Sequence, residues 1–193
     1  MESNFFAMIS RMKFIERWSL MRNSRQENLS EHSLEVAMLA HALAVISNER
    51  LGNSLNAEKA AVLGIYHDAT EIITGDMPTP IKYFNKNIQG AFKEVEKDAA
   101  EKLFCMLPDY LKKYYEDIFF PSKEDTYLRK LVKAADKISA LIKCIEEEKA
   151  GNKEFVLAKK SLYDQLKNMN LKEADIFMEE FLPAYSKTLD ELS

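Results

Sequence analysis

The stretch Ala57–Asp76 carries three side chains that could do chemistry, His67, Asp68 and Glu71, within a largely apolar segment. The pattern predicts a helix on which His67 and Glu71 lie one turn apart on nearly the same face, with Asp68 beside both. Burying an imidazole and two carboxylates costs free energy unless something compensates them. A divalent metal ion would do so, and the segment therefore indicates a candidate metal site.

The other two histidines of the chain lie on a second apolar segment. His32 is near its start, and His41 follows nine residues later. Nine residues at about 100° each leave a remainder of half a turn, so the two side chains point to opposite sides and cannot share one ion. Because leucines and alanines flank His41, we expect a core or half-buried histidine that takes no part in the site.

Asp136 is a further candidate ligand, within the segment LVKAADKISALI. It lies on the apolar side of the helical pattern, where a single aspartate is more often hydrogen-bonded to backbone than bound to metal. Two such aspartates together with two histidines reverse that expectation. Two imidazoles and two carboxylates would form a mixed nitrogen and oxygen donor set, which suits Mn, Co, Zn or Fe better than Ca.

The order His32, then His67-Asp68, then Asp136 resembles the signature of the HD superfamily of metal-dependent phosphohydrolases. Three longer segments closely resemble the HD-domain 5′-deoxynucleotidases of the YfbR type, and with the helices between them they cover nearly the whole chain. These segments are ERWSLMRNSRQENLSEHSLEVAMLAHAL, YHDATEIITGDMPTPIKYFN and KAADKISALIKCIEEEKAGNKEF. The resemblance implies an all-α HD-domain helical bundle, with residues 1–193 forming a single domain.

The same resemblance implies the activity, which is the hydrolysis of deoxyribonucleoside 5′-monophosphates to deoxyribonucleoside and phosphate. It also implies one divalent ion, with cobalt preferred in vitro and Mn²⁺, Zn²⁺ or others possible, and a homodimer. The implied metal ligands are His32, His67, Asp68 and Asp136, and the implied catalytic residues are Glu71, Asp76 and Arg17. The implied substrate-binding residues are Arg17, Trp18, His32, Asp68, Asp76, Met77, Pro78 and Thr79.

The chemistry of four of these side chains agrees with the implied roles. The planar guanidinium of Arg17 matches a phosphate group with two parallel hydrogen bonds, which a lysine could not do. Trp18 packed on C2′ would disfavour a ribose hydroxyl by leaving it cramped and unpaired. Glu71 could orient or deprotonate a water molecule, and Asp76 could protonate the leaving 5′-oxygen if its pKa is raised.

Two other functions stay open at this point. Another HD phosphohydrolase could act on a cyclic or bis-phosphorylated nucleotide, although two-metal versions of that chemistry need extra histidines that this chain lacks. A non-catalytic nucleotide-binding HD module is the alternative outside the enzymes. Such modules typically lose ligands, whereas all four positions are filled here.

The elements that would hold these side chains are helices, since the chain of 193 residues has only five glycines and five prolines and no alternating strand pattern. We expect an N-terminal helix over Phe5–Met21 that buries Phe6, Ile9, Met12 and Phe14. Asn28 with Glu31, and Asn170 with Glu173, have the spacing of capping boxes, and Asn56 should cap the helix at Ala57. The run Glu146–Lys149 should be a solvated helix end.

Composition limits the partners. The net charge is −4, which provides no general surface for a nucleic-acid polymer. Residues 1–25 carry a local excess of basic side chains that suits a small phosphate-bearing substrate. Cys105 and Cys144 indicate free thiols in a reducing compartment, and the apolar stretch Val36–Ile46 is too short to cross a membrane. We therefore expect a cytoplasmic protein.

Overall fold

The computed structural model describes residues 2–82 and 84–193, except that the side chain of Thr79 lies outside the description. The described residues form α-helices, three short 3₁₀ segments at Ser10–Phe14, Lys153–Phe155 and Leu182–Ser186, and one isolated β-bridge. The α-helices are α1 Phe5–Ile9, α2 Leu29–Leu51, α3 Ala57–Tyr66, α4 Glu71–Thr74, α5 Thr79–Lys82, α6 Lys86–Cys105, α7 Asp109–Phe119, α8 Thr126–Lys149, α9 Val156–Asn168, α10 Lys172–Glu180 and α11 Leu189–Leu192. The predicted all-α class is confirmed.

The chain divides into two compact units. The first consists of Met1–Arg22, Gln26–Ser33 and Ile65–Thr126, and the second of Asn23–Arg25, Leu34–Gly64 and Tyr127–Ser193. The single domain predicted over residues 1–193 stays a prediction.

The core of the second unit is formed by apolar side chains of α2, α3, α8 and α10, with Leu43, Leu131 and Ile138 fully buried. Gly64 allows α3 to approach α2 closely, because a Cβ atom at this position would lie 2.8 Å from the Cα of Ala37. Such a contact is far too short for any side chain, and this glycine is therefore required for the packing of α3 on α2.

Helix α2 has 23 residues. Of the helices in the described part of the chain, it is the one that is long and apolar enough to cross a membrane by length and composition alone. Half of its apolar window is nevertheless buried inside the protein. Buried core helices of soluble proteins show the same pattern. The apolar stretch Val36–Ile46 is thus the central part of a longer core helix.

The core of the first unit is largely aromatic. Phe5 is fully buried with Ala69 and Leu103, and its ring meets the ring of Tyr115 edge to face at 5.3 Å between centroids. The ring of Phe119 packs against Phe5 in the same way at 5.9 Å. This cluster packs around Ala69, one residue after Asp68 of the predicted site.

The predicted N-terminal helix is wrong beyond Phe14. Helix α1 ends at Ile9, the 3₁₀ segment ends at Phe14, and Ile15 has an extended backbone with φ −97° and ψ 109°. The chain leaves the helical path because Ile15 and Arg17 form backbone hydrogen bonds with the segment 27–29. Met12 is buried as predicted and Ile9 packs against the first core, whereas Phe6 and Phe14 are exposed.

Two of the predicted helix caps are confirmed. The side chain of Asn28 accepts hydrogen bonds from the N–H groups of Ser30 and Glu31, and Asn56 accepts from Lys59 N–H at 2.8 Å. The third is wrong. Glu173 is buried and accepts hydrogen bonds from the hydroxyls of Ser47 and Tyr127 instead of capping α10.

Two further predictions about polar residues are wrong. His41 is exposed, neither buried nor half-buried. Glu147, in the run predicted to be solvated, is buried beside Lys143 and Ser24. Its partners explain the difference, since a buried carboxylate is tolerated when it is fully hydrogen-bonded.

Candidate metal centre and its surroundings

The helix predicted over Ala57–Asp76 is interrupted where the candidate ligands lie. Helix α3 ends at Tyr66, and residues 67–70 form turns in which Ala69 N–H bonds to Tyr66 O and Glu71 N–H bonds to Asp68 O. These bonds span three residues rather than four, so the chain tightens at His67 and Asp68. Helix α4 then ends at Thr74 and is followed by Gly75, whose φ of +72° suits glycine.

The two imidazoles of the site face one carboxylate. His32 is fully buried near the start of α2. Its Nε2 lies 3.6 Å from Asp68 Oδ2, and His67 Nε2 lies 3.0 Å from the same oxygen. The two rings are 5.2 Å apart between centroids.

Asp136 completes the group that the sequence predicted. His32, His67, Asp68 and Asp136 each offer one ligand atom, and these atoms all lie within 4.8 Å of one another. Two ligand atoms that each lie about 2.1 Å from one ion are about 3.0 to 3.4 Å from each other. The His67–Asp68 distance falls in that range and the His32–Asp68 distance slightly exceeds it, so the spacing of these three side chains is compatible with one divalent ion.

Glu71 lies one short turn beyond this group and is buried. Burial first, and then the negative charges of Asp68 and Asp76, together raise the pKa of its carboxyl group to about 9, although the positive charges of Lys82 and Arg17 oppose the shift. Its Oε2 has no hydrogen-bond partner among the described residues. A buried, incompletely bonded carboxyl group is costly for folding and typical of functional sites.

Asp76 follows α4 and is half-buried. Burial raises the pKa of its carboxyl group, the positive charge of Arg17 opposes this, and Asp68 adds to it. The backbone N–H of Trp18 donates a hydrogen bond to the Asp76 carboxylate, which also acts against the rise in pKa. This hydrogen bond links Asp76 to the segment of Arg17 and Trp18, which are predicted to contact the phosphate and the sugar.

Arg17 and Trp18 are held by a residue that the sequence did not single out. Glu27 Oε2 accepts hydrogen bonds from Arg17 Nη1 at 2.5 Å and from Trp18 Nε1 at 3.2 Å. The guanidinium of Arg17 also lies 5.9 Å from the centre of the Trp18 ring. No spacing signal pointed to Glu27, because the contact depends on a turn that brings residues 17 and 27 together.

The loop after Asp76 leads into α5. Met77 and Pro78 are half-buried, and Thr79 begins the helix, but its predicted side-chain contact lies outside the described residues. Lys82 ends α5 and pairs with Glu96 at 2.9 Å. Lys82 is a second residue missed from the sequence, and it brings a positive charge into the electrostatic surroundings of Glu71.

The fold is that of the HD-domain phosphohydrolases. An HD-domain phosphohydrolase from Listeria innocua superposes with a TM-score of 0.78 at 22% identity, covering 94% of this chain and 88% of that one. The HD phosphohydrolase DatZ of cyanophage S-2L, solved with dA and one catalytic Zn²⁺ ion, superposes with a TM-score of 0.65 at 19% identity, covering 94% and 96%. The predicted HD-domain bundle is confirmed.

Within that class, the sequence comparisons define a family. The family described as "5′-deoxynucleotidase YfbR-like" matches residues 4–185. The 5′-deoxynucleotidase YfbR of Escherichia coli is 51% identical over 196 aligned residues, and a 5′-deoxynucleotidase of Klebsiella pneumoniae is 49% identical over 192. Each alignment covers 100% of this chain and 96% of the relative. The chain belongs to the YfbR-like 5′-deoxynucleotidase family.

Proposed function

We propose that the protein is a metal-dependent 5′-deoxynucleotidase that hydrolyses deoxyribonucleoside 5′-monophosphates to deoxyribonucleoside and phosphate. The observation that carries the proposal is the group of four ligand atoms within 4.8 Å in a chain of this family. His32, His67, Asp68 and Asp136 would hold one divalent ion. When bound, such an ion supplies positive charge for a phosphoryl oxygen and makes water more acidic at neutral pH.

Arg17 is the residue proposed to orient the phosphate. Its guanidinium has five N–H donors in a planar fork, and the bond to Glu27 uses one of its terminal nitrogens. Such a fork matches two oxygens of a phosphate group, and the contact with Glu27 sets its direction. Its positive charge also lowers the pKa of Asp76 and of Glu71, the two proposed catalytic carboxyl groups.

Glu71 and Asp76 are proposed to handle protons. In the metal-free chain Glu71 is largely protonated at neutral pH, because its pKa is about 9. A positive charge next to Asp68 would lower that pKa and let Glu71 orient and deprotonate water. Asp76, whose pKa is raised, would then protonate the departing 5′-oxygen.

Trp18 is proposed to pack on the deoxyribose, and the loop of Asp76, Met77, Pro78 and Thr79 to line the nucleotide. A 2′-hydroxyl facing the indole would find neither space nor a partner, which favours the deoxy substrate. The dA bound to the cyanophage relative supports a site for a deoxynucleoside in this fold.

The finer assignments follow the family resemblance and the composition. We propose Co²⁺ as the most activating ion in vitro, with Mn²⁺ or Zn²⁺ as alternatives, and the zinc of the cyanophage relative supports a single-ion site. We further propose a cytoplasmic homodimer that acts on small molecules and not on nucleic-acid polymers. The net charge of −4 supports a small-molecule substrate, and Cys105 and Cys144, which form no disulfide, support a reducing compartment. The homodimer follows the family resemblance alone.

The test is phosphate release from dAMP by protein stripped of metal and then supplied with Co²⁺, Mn²⁺ or Zn²⁺. We expect activity that depends on the added ion and is abolished by EDTA, with AMP and 3′-dAMP hydrolysed much more slowly. Preferential hydrolysis of a cyclic nucleotide would point to another HD phosphohydrolase. Nucleotide binding without hydrolysis under any ion would identify a non-catalytic module.

A further inference from the structure

Glu27 contacts both residues that are proposed to recognise the substrate. One oxygen, Oε2, accepts from the guanidinium of Arg17 and from the indole N–H of Trp18. The side chains of Arg17 and Glu27 are only 11% and 14% exposed. Hydrogen bonds to a charged acceptor that is largely shielded from water are stronger than those at an open surface.

The backbone places Glu27 opposite these two residues. Arg17 N–H donates to Glu27 O at 2.9 Å, Leu29 N–H donates to Ile15 O at 2.9 Å, and Glu16 faces Asn28 in the isolated bridge. The pairing is only one bridge long, so side-chain contacts must contribute to holding the two segments in register. The contact of Glu27 with Arg17 and Trp18 supplies such a link.

Trp18 is held in a conformation that a bulky residue rarely adopts. Its φ is +58°, in the left-handed region that costs a non-glycine residue about 1 kcal/mol or more. The Asp76 carboxylate accepts from its backbone N–H, and Glu27 accepts from its indole N–H at the far end of the side chain. One carboxylate thus fixes the backbone of Trp18 and a second fixes the direction of its ring.

We propose that Glu27 is a specificity-determining positioning residue that holds the indole of Trp18 against the sugar. The inference rests on the proposed function, since it assigns to Glu27 the control of deoxyribose selection through Trp18. An aromatic ring excludes a 2′-hydroxyl only if it cannot swing away. The hydrogen bond from Trp18 Nε1 to Glu27 resists that rotation and makes the exclusion rigid.

A first test needs no catalysis, because Trp18 is the single tryptophan of the chain. Intrinsic fluorescence therefore reports on this one indole. In Glu27→Ala we expect red-shifted emission and stronger quenching by acrylamide than in the parent protein, while Glu27→Gln, which keeps an oxygen acceptor, should stay close to the parent. Unchanged emission and quenching in Glu27→Ala would overturn the proposal.

The matched control is Glu16→Ala. Glu16 is exposed and adjacent to Arg17, so the variant removes one carboxylate from the same pair of segments without touching the indole N–H. It should leave fluorescence unchanged. Far-ultraviolet circular dichroism and thermal melting of all variants separate a local change at Trp18 from a loss of folding.

The second test is the ratio of kcat/KM for dAMP over AMP. Glu27→Ala should lower this ratio by about tenfold or more, the effect expected for losing one hydrogen bond to a charged group. Trp18→Phe keeps an aromatic ring but removes the N–H, and should lower the ratio by a similar factor. If Glu27 acts through that N–H, adding Glu27→Ala to Trp18→Phe should lower the ratio no further.

The two proposals fail in different ways. A parent protein that releases no phosphate from dAMP with any added ion would refute the nucleotidase, and the fluorescence test of Glu27 would still stand. An active parent whose preference for dAMP is unchanged by Glu27→Ala would refute the role of Glu27 alone. Independent effects of Glu27→Ala and Trp18→Phe in the double variant would also refute it.

Discussion

Two buried carboxyl groups of this protein, Glu71 and Glu147, have opposite electrostatics. The pKa of Glu71 is raised to about 9, chiefly by burial and by the neighbouring charges of Asp68 and Asp76. The pKa of Glu147 is lowered to about 2, although burial alone would raise it, because hydrogen bonds from Lys143, Ser24 and Asn152 stabilise the charged form. Two glutamates that are both buried thus have opposite charge states at neutral pH.

The difference lies in the partners. Glu147 accepts from Lys143 Nζ at 2.5 Å, from both the N–H and the hydroxyl of Ser24, and from the Asn152 side chain. Lys143 also donates to the carbonyl of Arg25. Glu71 is instead surrounded by other acidic groups, and one of its oxygens has no partner among the described residues. A buried carboxylate with all of its hydrogen bonds formed indicates a structural role, whereas a buried carboxyl group with an unbonded oxygen is typical of a functional site.

The strongest test of the acidic cluster formed by Asp68, Glu71 and Asp76 is Asp68→Asn. We expect activity toward dAMP to fall by about 10⁴-fold, several kcal/mol of transition-state stabilisation, because Asp68 Oδ2 is the oxygen that both imidazoles face. Bound metal, measured by elemental analysis, should fall with it. The thermal stability of the metal-free protein should hold or rise, since the change removes a negative charge from a crowded group of acidic side chains.

The control for this change is Asp109→Asn, at an exposed position in α7. It should retain activity and bound metal. If Asp68→Asn kept its metal and its activity, Asp68 would not be a ligand. The contrast with Glu147 would then no longer be one between a metal site and a structural ion pair.

Glu71→Gln tests the proton role without altering the proposed ligands. We expect kcat to fall by about a thousandfold, within the range for loss of a general acid or base. Metal content should remain near that of the parent protein. A variant that lost metal together with activity would make Glu71 a ligand instead of a proton carrier.

Much of the architecture was predictable, for local reasons. Asn28 and Asn56 cap α2 and α3 as their spacing predicted, because a cap depends on residues two or three positions away. The break at residues 67–70 was not predictable, since the apolar helical pattern continues through it. The four proposed ligands came from the family resemblance together with their unusual position on apolar faces.

Contacts between residues distant in sequence explain what was missed. Glu147 lies in a run of glutamates that is typical of a solvated helix end, but Ser24, which binds it, is 123 residues away. Glu27 contacts Arg17 and Trp18 only because a turn brings the two segments together. Periodicity predicts which face of a helix is buried, and it contains no information about a partner on another segment.

Glu147→Gln tests the satisfied member of the comparison. Removing one partner of a buried ion pair leaves Lys143 with an uncompensated charge, so we expect a loss of about 3 kcal/mol in the free energy of unfolding. For a chain of this length that corresponds to a fall of about 6 to 12 °C in Tm. Activity per folded molecule should stay close to that of the parent protein.

Glu148→Gln is the matched control for this prediction. Glu148 is the next residue of α8, is exposed, and pairs with Lys159 at the surface. Exposed ion pairs contribute at most about 1 kcal/mol, so its Tm should change little. Equal effects of the two changes would show that Glu147 is not the structural anchor that its contacts indicate.

The pH dependence of unfolding of the metal-free protein should separate the two groups directly. Because the folded pKa of Glu147 lies near 2, below its ordinary 4.5, its contribution is complete above pH 4.5 and is lost as the pH falls toward 2, by up to about 3 kcal/mol. Glu71 acts in the opposite sense. Its folded pKa is raised, so its contribution is complete below pH 4.5 and is lost as the pH rises toward 9.

Denaturant titrations across that range should therefore show one loss of stability on each side, each removed by a different variant. Glu147→Gln should flatten the acidic side only, and Glu71→Gln the side between pH 5 and 9 only. If Glu71→Gln left the neutral-to-alkaline slope unchanged, the carboxyl group of Glu71 would be ionised in the folded chain without metal. Burial and the charges of Asp68 and Asp76 would then not keep Glu71 protonated, and the contrast with Glu147 would be lost.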